Sequence, residues 1–473
     1  MLFGAEQVEV FSPRVDDGSR RRIVGMVLFI YVLLIVEGVL RKWVLPEFGQ
    51  VLFFVRDPFV LAVYAMALVS GLWPRSSLWL TLALLLALLT SVLAILQVAL
   101  GVGNPQAPML FAAYGLRNYF FYIPLAFIIA DTFRAEDLQR MAIITFALVI
   151  LSAVLVVLQF YSPVGAPINV GISDDPSLQF RGLGLNELHT RPMGFFTSDV
   201  GQKQLSVSAL AMVLTGWSGG WRAGRFSRLL LPFATLGVLT CLAYSGSRGA
   251  VLSSGLVVLA AMAAVARGGR ETSRGRVLAV LIGMFVLVTI LGFTFFADGI
   301  AAFVERWNTA DGFESQHFSG GIFGRAIYGL VDFLRLFTET PLLGYGIGMA
   351  GNAAQQLAMS TGVPLKYSAE TDWARHMVDL GPVVGVFFMT FRIALVFAVA
   401  RRVVNSRSVL ATLLFGYLGY ELLLGQITGH GTINGYAWMF VGFTLAAAAA
   451  FGGEAGTTAT TTGIKEPFPN LLR

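Results

Sequence analysis

Three arginines sit singly in short polar contexts that topology alone does not call for. Arg191 lies in His-Thr-Arg-Pro-Met-Gly (189–194), Arg248 in Ser-Gly-Ser-Arg-Gly-Ala (245–250) and Arg325 in Phe-Gly-Arg-Ala (323–326). A guanidinium is a rigid fork of donors that matches phosphate oxygens, so this pattern suits an anionic ligand. Snorkelling to headgroups and plain ion pairing are the alternatives. A second group is Glu370, Asp372, Arg375 and His376, all within seven residues (370–376). A carboxylate here can serve the first turn of a helix. It can equally be a general base, given a raised pKa and a hydroxyl within reach. Arg306, beside Trp307, and Arg375 suit sugar contacts or ion pairs with Glu305 and Asp372. Arg41, Lys42, Arg56 and Arg117 suit a phosphate entrance or interfacial anchoring beside Trp43 and Tyr119.

The elements that must position these residues follow from composition. The chain has 473 residues, of which 56% are hydrophobic and 13% charged. Its mean hydropathy is +0.74. Soluble domains carry about 25% charged residues, so an ordinary cytosolic enzyme, a disordered chain and a nucleic-acid binder are excluded. The net charge, 33 − 27 = +6, fits loop arginines that set membrane orientation.

Twelve apolar segments are expected, at approximately 23–40, 55–73, 78–100, 111–130, 141–160, 204–217, 229–244, 250–266, 277–296, 377–399, 409–425 and 434–452. Lipid offers backbone amides no partner, so the segments must be helices. Alternating strands of barrel length are absent. The expected fold class is therefore all-α, a single polytopic membrane domain over 1–473. The first apolar run follows Arg20-Arg21-Arg22, lacks a small-residue cleavage site and reads as a signal anchor.

Arginine bias places Arg20–Arg22, Arg75, Arg134, Arg140, Arg222, Arg225, Arg228, Arg267, Arg270, Arg274, Arg276, Arg401, Arg402 and Arg407 on the cytoplasmic side. Both termini then face the cytoplasm, and the polar tail 454–473 is expected to be disordered. Two long loops, 161–203 and 297–376, face the other side. The second is amphipathic over Arg325 to Phe337 and should carry helices. Long loops in compact proteins are usually functional.

His189, His317, His376 and His430 are too scattered to suggest a metal site, and each reads best as a structural histidine. The single cysteine, Cys241, lies in an apolar run and reads as a buried bystander. Leu343-Gly344-Tyr345-Gly346-Ile347-Gly348 follows no strand, so it reads as a tight turn for close backbone approach.

Taken in order, these features resemble the O-antigen ligase and Wzy-type polysaccharide polymerase superfamily. The likeness rests on the twelve-span plan with a large loop before the tenth span, on Arg191 before Gly194, and on Ser245 to Arg248. It also rests on Arg325 followed by Pro341-Leu342-Leu343-Gly344-Tyr345-Gly346, and on Glu370-Thr371-Asp372-Trp373 leading to Asp379-Leu380-Gly381 and Gly385. It covers roughly 185–390, and the rest mainly by span count.

The resemblance implies a GT-C-like fold in the bacterial inner membrane with a site facing the periplasm. It implies transfer of a glycan from undecaprenyl diphosphate to an acceptor hydroxyl, without a metal ion or other cofactor. Arg191, Arg248 and Arg325 then match the arginines that hold the diphosphate. Ligases of the family carry a histidine eleven residues before the helix glycine, and eleven back from Gly381 is Glu370. The carboxylate points to a polymerase-like member with Glu370 as base. Asp372, Arg375, His376, Arg306, Arg41 and Arg56 are the expected substrate contacts. The implied partners are the lipid-linked oligosaccharide, the bilayer and, by analogy, a chain-length co-polymerase. A ligase, a flippase of lipid-linked sugars and a membrane scaffold are the competing readings. Glu37 and Glu421, near or within spans, are the residues that bear on the flippase.

Overall fold

Every apolar segment read from the sequence falls on an α-helix. The computed structural model describes residues 17–49, 51–75, 77–171, 182–183, 189–219, 225–268, 273–319, 321–351, 354, 369 and 371–451. Glu370, Lys366, Arg222 and the tail 454–473 lie outside the described residues. Among the described residues, 8 helices are long and apolar enough to cross a membrane, and two shorter apolar helices accompany them. The chain is a multi-pass helical membrane protein in contact with the bilayer.

Helix α1 (Asp17–Val39) runs into a π-helical turn, Leu40–Val44, that carries Arg41 and Lys42. Then come α2 (Asp57–Val69), α3 (Leu78–Ala99), α4 (Pro108–Phe120), α5 (Ile123–Thr132) and α6 (Ala135–Tyr161). The sequence reads 111–130 as one segment, yet the chain divides it between α4 and α5. Pro124, in the first turn of α5, has no N–H to give, so a helix start there leaves no donor of its own unpaired.

The first long loop holds a two-residue antiparallel pair, β1 (Gly182–Leu183) with β2 (His189–Thr190). Next are α7 (Asp199–Ser218), α8 (Arg225–Ala243), α9 (Arg248–Arg267) and α10 (Arg274–Thr294). The expected helical loop supplies α11 (Ala297–His317) and α12 (Gly321–Glu339). Three helices close the chain: α13 (Asp372–Ser406), α14 (Val409–Leu424) and α15 (Gly431–Phe451).

The core centres on α15, which packs on α5, α14, α13 and α6. In α15, 83% of the spanning window is buried, against 6% in α10, which therefore lies at the periphery facing lipid. Tyr31, Tyr417, Tyr436, Phe440 and Phe443 interlock there, Tyr436 stacking on Phe440 at 5.4 Å. Helix α7 is buried almost all round, including Gln202, Gln204, Ser206 and Ser208.

The arginines sort by end of the bundle. At one end, Arg20 donates to Asp137 at 2.6 Å, and Arg134 donates to Asp17 at 3.1 Å. Both belong to the arginine set expected on the cytoplasmic side. The far end of α1 carries Glu37, Arg41 and Lys42, against which the 191–197 segment packs.

Candidate functional site

The Ser245–Arg248 motif forms the tight connection between α8 and α9. Ser247 caps α9 by accepting from Ala250 N–H at 3.3 Å, so Arg248 is the first residue of the helix. Gly246 takes a left-handed φ of 54°, a conformation that favours glycine, and its carbonyl accepts from the Arg306 guanidinium. Arg248 grips Glu314 with both terminal nitrogens, at 2.8 and 3.0 Å. Arg325 donates to the same carboxylate at 2.7 Å. Hydrogen bonds from Arg248, and then from Arg325, hold the Glu314 carboxyl below its ordinary range against the opposing effect of burial. Trp307 lies 6.0 Å from the Arg248 guanidinium.

Arg191 joins this group from the first long loop, paired with Asp199 in the first turn of α7. The Arg306 guanidinium is pushed down to about 10, first by burial and then by the positive charges of Arg191 and Arg248, with Asp199 opposing. Among the described residues Arg306 has no carboxylate partner. Among the described residues, three distant stretches of chain supply the Arg191–Asp199 pair, the Arg248–Glu314–Arg325 cluster and Arg306, whose guanidinium feels the charges of both Arg191 and Arg248. The expected arginine set therefore comes together, and Arg306 belongs with it.

Arg41 and Arg56 lie elsewhere. Both pair with Glu37, at 3.0 and 2.7 Å. Arg41 also donates to Gly49 O at 2.7 Å. Arg117 grips Asp57 with two contacts of 2.8 Å each. Arg41, Lys42 and Arg56 are buried, at 7%, 3% and 0% exposure. This corrects their reading as interfacial anchors, because an anchor keeps its charged head in water or headgroups. Lys42 instead donates to Gly194 O at 3.1 Å, fastening the Arg191 loop to α1. Gly38 allows the approach, since a Cβ there would stand 2.7 Å from Phe196 Cα.

Asp372, Arg375 and His376 form a third, closed group at the start of α13. Thr371 caps the helix. Asp372 accepts from Arg375 and Arg392, each at 2.7 Å, and from the N–H and hydroxyl of Thr428 at 3.1 and 3.0 Å. Arg375 also donates to Ala350 O at 2.7 Å and Ala369 O at 3.0 Å. His376 uses both ring nitrogens, one with Tyr119 at 3.1 Å and one with Arg392 at 3.0 Å. The Asp372–Arg375 ion pair is the alternative left open by the sequence. Their saturation suits these residues to positioning rather than to meeting a substrate.

Two close approaches hold this end of α13. Gly381 breaks the helix with φ 74°, next to Pro382. The 341–346 turn fits into the break, with Tyr345 N–H donating to Val378 O at 2.7 Å. Gln97 of α3 stitches both sides, donating to Asp379 O at 2.9 Å and accepting from Ile347 N–H at 2.9 Å. The glycine-rich stretch is thus the tight turn read from its sequence.

Sequence reasoning missed Asp199, Glu314, Arg392 and Lys203. Arg392, in the middle of an apolar segment, carried a usable signal, because a charge there needs a partner. Glu421, noted for its place within a span, finds Lys203 at 2.6 Å and Gln204 at 2.9 Å. Glu314 and Asp199 carried no local signal. Among the described residues no group of three or more His, Cys, Asp or Glu is placed to hold a metal ion.

No protein-family model matches the chain, and no curated protein matches it.

Proposed function

We propose that this protein is a bacterial inner-membrane glycosyltransferase of the polymerase type. In this reading it extends a surface polysaccharide or exopolysaccharide, taking the glycan from undecaprenyl diphosphate at the periplasmic face. Twelve spans and a GT-C-like arrangement belong to the same reading. The observation that carries it is the convergence of Arg191, Arg248, Arg306 and Arg325 around Asp199 and Glu314.

The acceptor hydroxyl attacks the anomeric carbon as the bond from that carbon to the diphosphate oxygen breaks. The electron pair leaves with the diphosphate, where charge develops and where preset guanidinium donors stabilise it most. Losing one such donor costs about 3 kcal/mol of transition-state stabilisation. The proton of the attacking hydroxyl goes to Glu370, which precedes the cap of α13 by one residue. The buried Asp372–Arg375–Arg392–His376 network fixes that helix start.

The test is reconstitution of wild type and Glu370→Gln in liposomes with the host's undecaprenyl-diphosphate oligosaccharide. A ladder of products from wild type that disappears in Glu370→Gln is expected. A ladder that persists in Glu370→Gln moves the base elsewhere, and intact donor with wild type refutes the polymerase.

A second reading, a flippase of lipid-linked sugars, draws on the Lys203–Glu421 pair inside the bundle. Buried ionisable pairs in spans commonly mark a transport path. A flippase would move labelled donor across the bilayer without consuming it, and would tolerate Glu370→Gln.

A further inference from the structure

His430 is the histidine whose chemistry the polymerase reading leaves unused. It sits on the connection between α14 and α15, immediately before Gly431, and is half-buried. Its Nε2 lies 3.1 Å from Ser198 Oγ. Its Nδ1 is buried and has no hydrogen-bond partner among the described residues. His189 stacks on Phe160 at 4.2 Å and turns Nδ1 to Phe160 O, and His376 uses both nitrogens.

The partner of Nε2 is unusual in its own right. Ser198 is the N-cap residue of α7, a position where a serine hydroxyl normally accepts from the first turn. Here its side chain makes no cap hydrogen bond, leaving the hydroxyl to pair with His430. In the tautomer whose Nε2–H donates to Ser198, Nδ1 presents a lone pair. A buried, unmatched nitrogen is costly and asks for an explanation.

Its position supplies one. Ser198 is followed by Asp199, the partner of Arg191 in the arginine group. Two residues before His430, Thr428 holds Asp372 at the start of α13. Gly429 lets the Arg375 guanidinium pass, since any Cβ there would collide with it. His430 therefore lies between the arginines assigned to the donor and the helix start that follows Glu370. The charged groups facing it are Asp199, Arg41, Arg375 and Arg56. Burial above all, with Asp199 opposing it and Arg41, Arg375 and Arg56 adding to it, pushes the imidazole down to about 4. It is then neutral at physiological pH and acts as a hydrogen-bond acceptor.

We propose that His430 is an acceptor-binding residue: its Nδ1 accepts a hydrogen bond from a hydroxyl of the acceptor glycan and holds that sugar beside the Arg191–Asp199 pair. The assignment rests on the polymerase reading and adds a carbohydrate subsite to it.

Two measurements test it. The first is transfer at fixed lipid-linked donor, with soluble acceptor made by freeing the host repeat-unit oligosaccharide from its lipid. His430→Phe should raise the acceptor KM at least tenfold and leave kcat within threefold. His430→Gln, which restores an acceptor atom, should recover part of that loss, and Ser198→Ala should fall between. An unchanged KM in Ser198→Ala overturns the proposal even where His430→Phe fails to fold.

The second is calorimetric binding of the same oligosaccharide to nanodisc-embedded protein without donor. Wild type should bind at least tenfold more tightly than His430→Phe, and equal binding overturns the proposal. Binding that depends on His430, in a wild type that transfers nothing, refutes the polymerase and leaves the subsite standing. Transfer with an unaltered acceptor KM does the reverse.

Discussion

Arg248 and Arg325 share one carboxylate: their guanidiniums meet Glu314 Oε1 at 2.8 and 2.7 Å. Arg248 starts α9 and Arg325 lies in α12, so Glu314 of α11 ties the large loop to the bundle. Two like charges this close repel unless an anion lies between them. Glu314 supplies that anion permanently.

Glu314→Gln should therefore lower stability and weaken donor use together. Glu314 is held below its ordinary carboxylate range, so its stabilising contribution is complete above about pH 4.3. That contribution is lost as pH falls through the lowered native value. Thermal unfolding in detergent should show wild type losing stability below about pH 4.3. Glu314→Gln should start lower and change less over the same range. A parallel acid response in the two proteins contradicts the pairing.

The network under α13 should be intolerant. Asp372→Ala strands Arg375 and Arg392, both about 1% exposed or less, and breaking a buried pair this way costs about 3–5 kcal/mol. The expected outcome is poor expression and loss of the folded peak in size-exclusion chromatography. A well-folded Asp372→Ala with changed acceptor kinetics would instead make Asp372 a substrate contact.

Gly381→Ala should fail for a steric reason. Its φ of 74° is a left-handed value, and a Cβ would run into Leu342 O and stand 2.7 Å from Gly344 N. The helix break and the 341–346 turn cannot both persist. Its melting temperature should drop by several degrees, whereas Gly283→Ala, which meets open space, should change little.

Lys203 and Glu421 separate structure from transport. If the pair only holds α7 to α14, replacing both with apolar residues keeps transfer activity, as buried pairs often allow. Lys203→Met alone should be damaging, because it leaves Glu421 buried with its cationic partner gone. Full activity in Lys203→Met/Glu421→Leu is expected. Loss of donor movement in the double variant, with folding intact, would favour the flippase.

The legible part of the fold was the part governed by hydropathy. Each apolar stretch became a helix because the bilayer admits nothing else, and the amphipathic stretch around Arg325 became α12. The division between α4 and α5 was legible only through Pro124. Arg191, Arg248 and Arg325 stood out because their charge opposed the topology bias. Their partners did not, since Asp199 and Glu314 read as ordinary helix carboxylates until tertiary structure brings them to the arginines. Arg41 and Arg56 read as anchors because sequence shows a charge near a span end, not the Glu37 carboxylate that draws both inward. His430 was passed over because an isolated histidine carries no spacing signal.

The most direct measurement is in vitro transfer by purified wild type, Arg248→Ala and Arg248→Lys in liposomes, with host undecaprenyl-diphosphate oligosaccharide as donor. Wild type should build a product ladder. Arg248→Ala should lower the rate by about 10²–10³, and Arg248→Lys, which keeps the charge but not the fork, should fall between. Wild-type rates in Arg248→Ala, with folded protein and consumed donor, would contradict the assignment of this arginine group to the diphosphate.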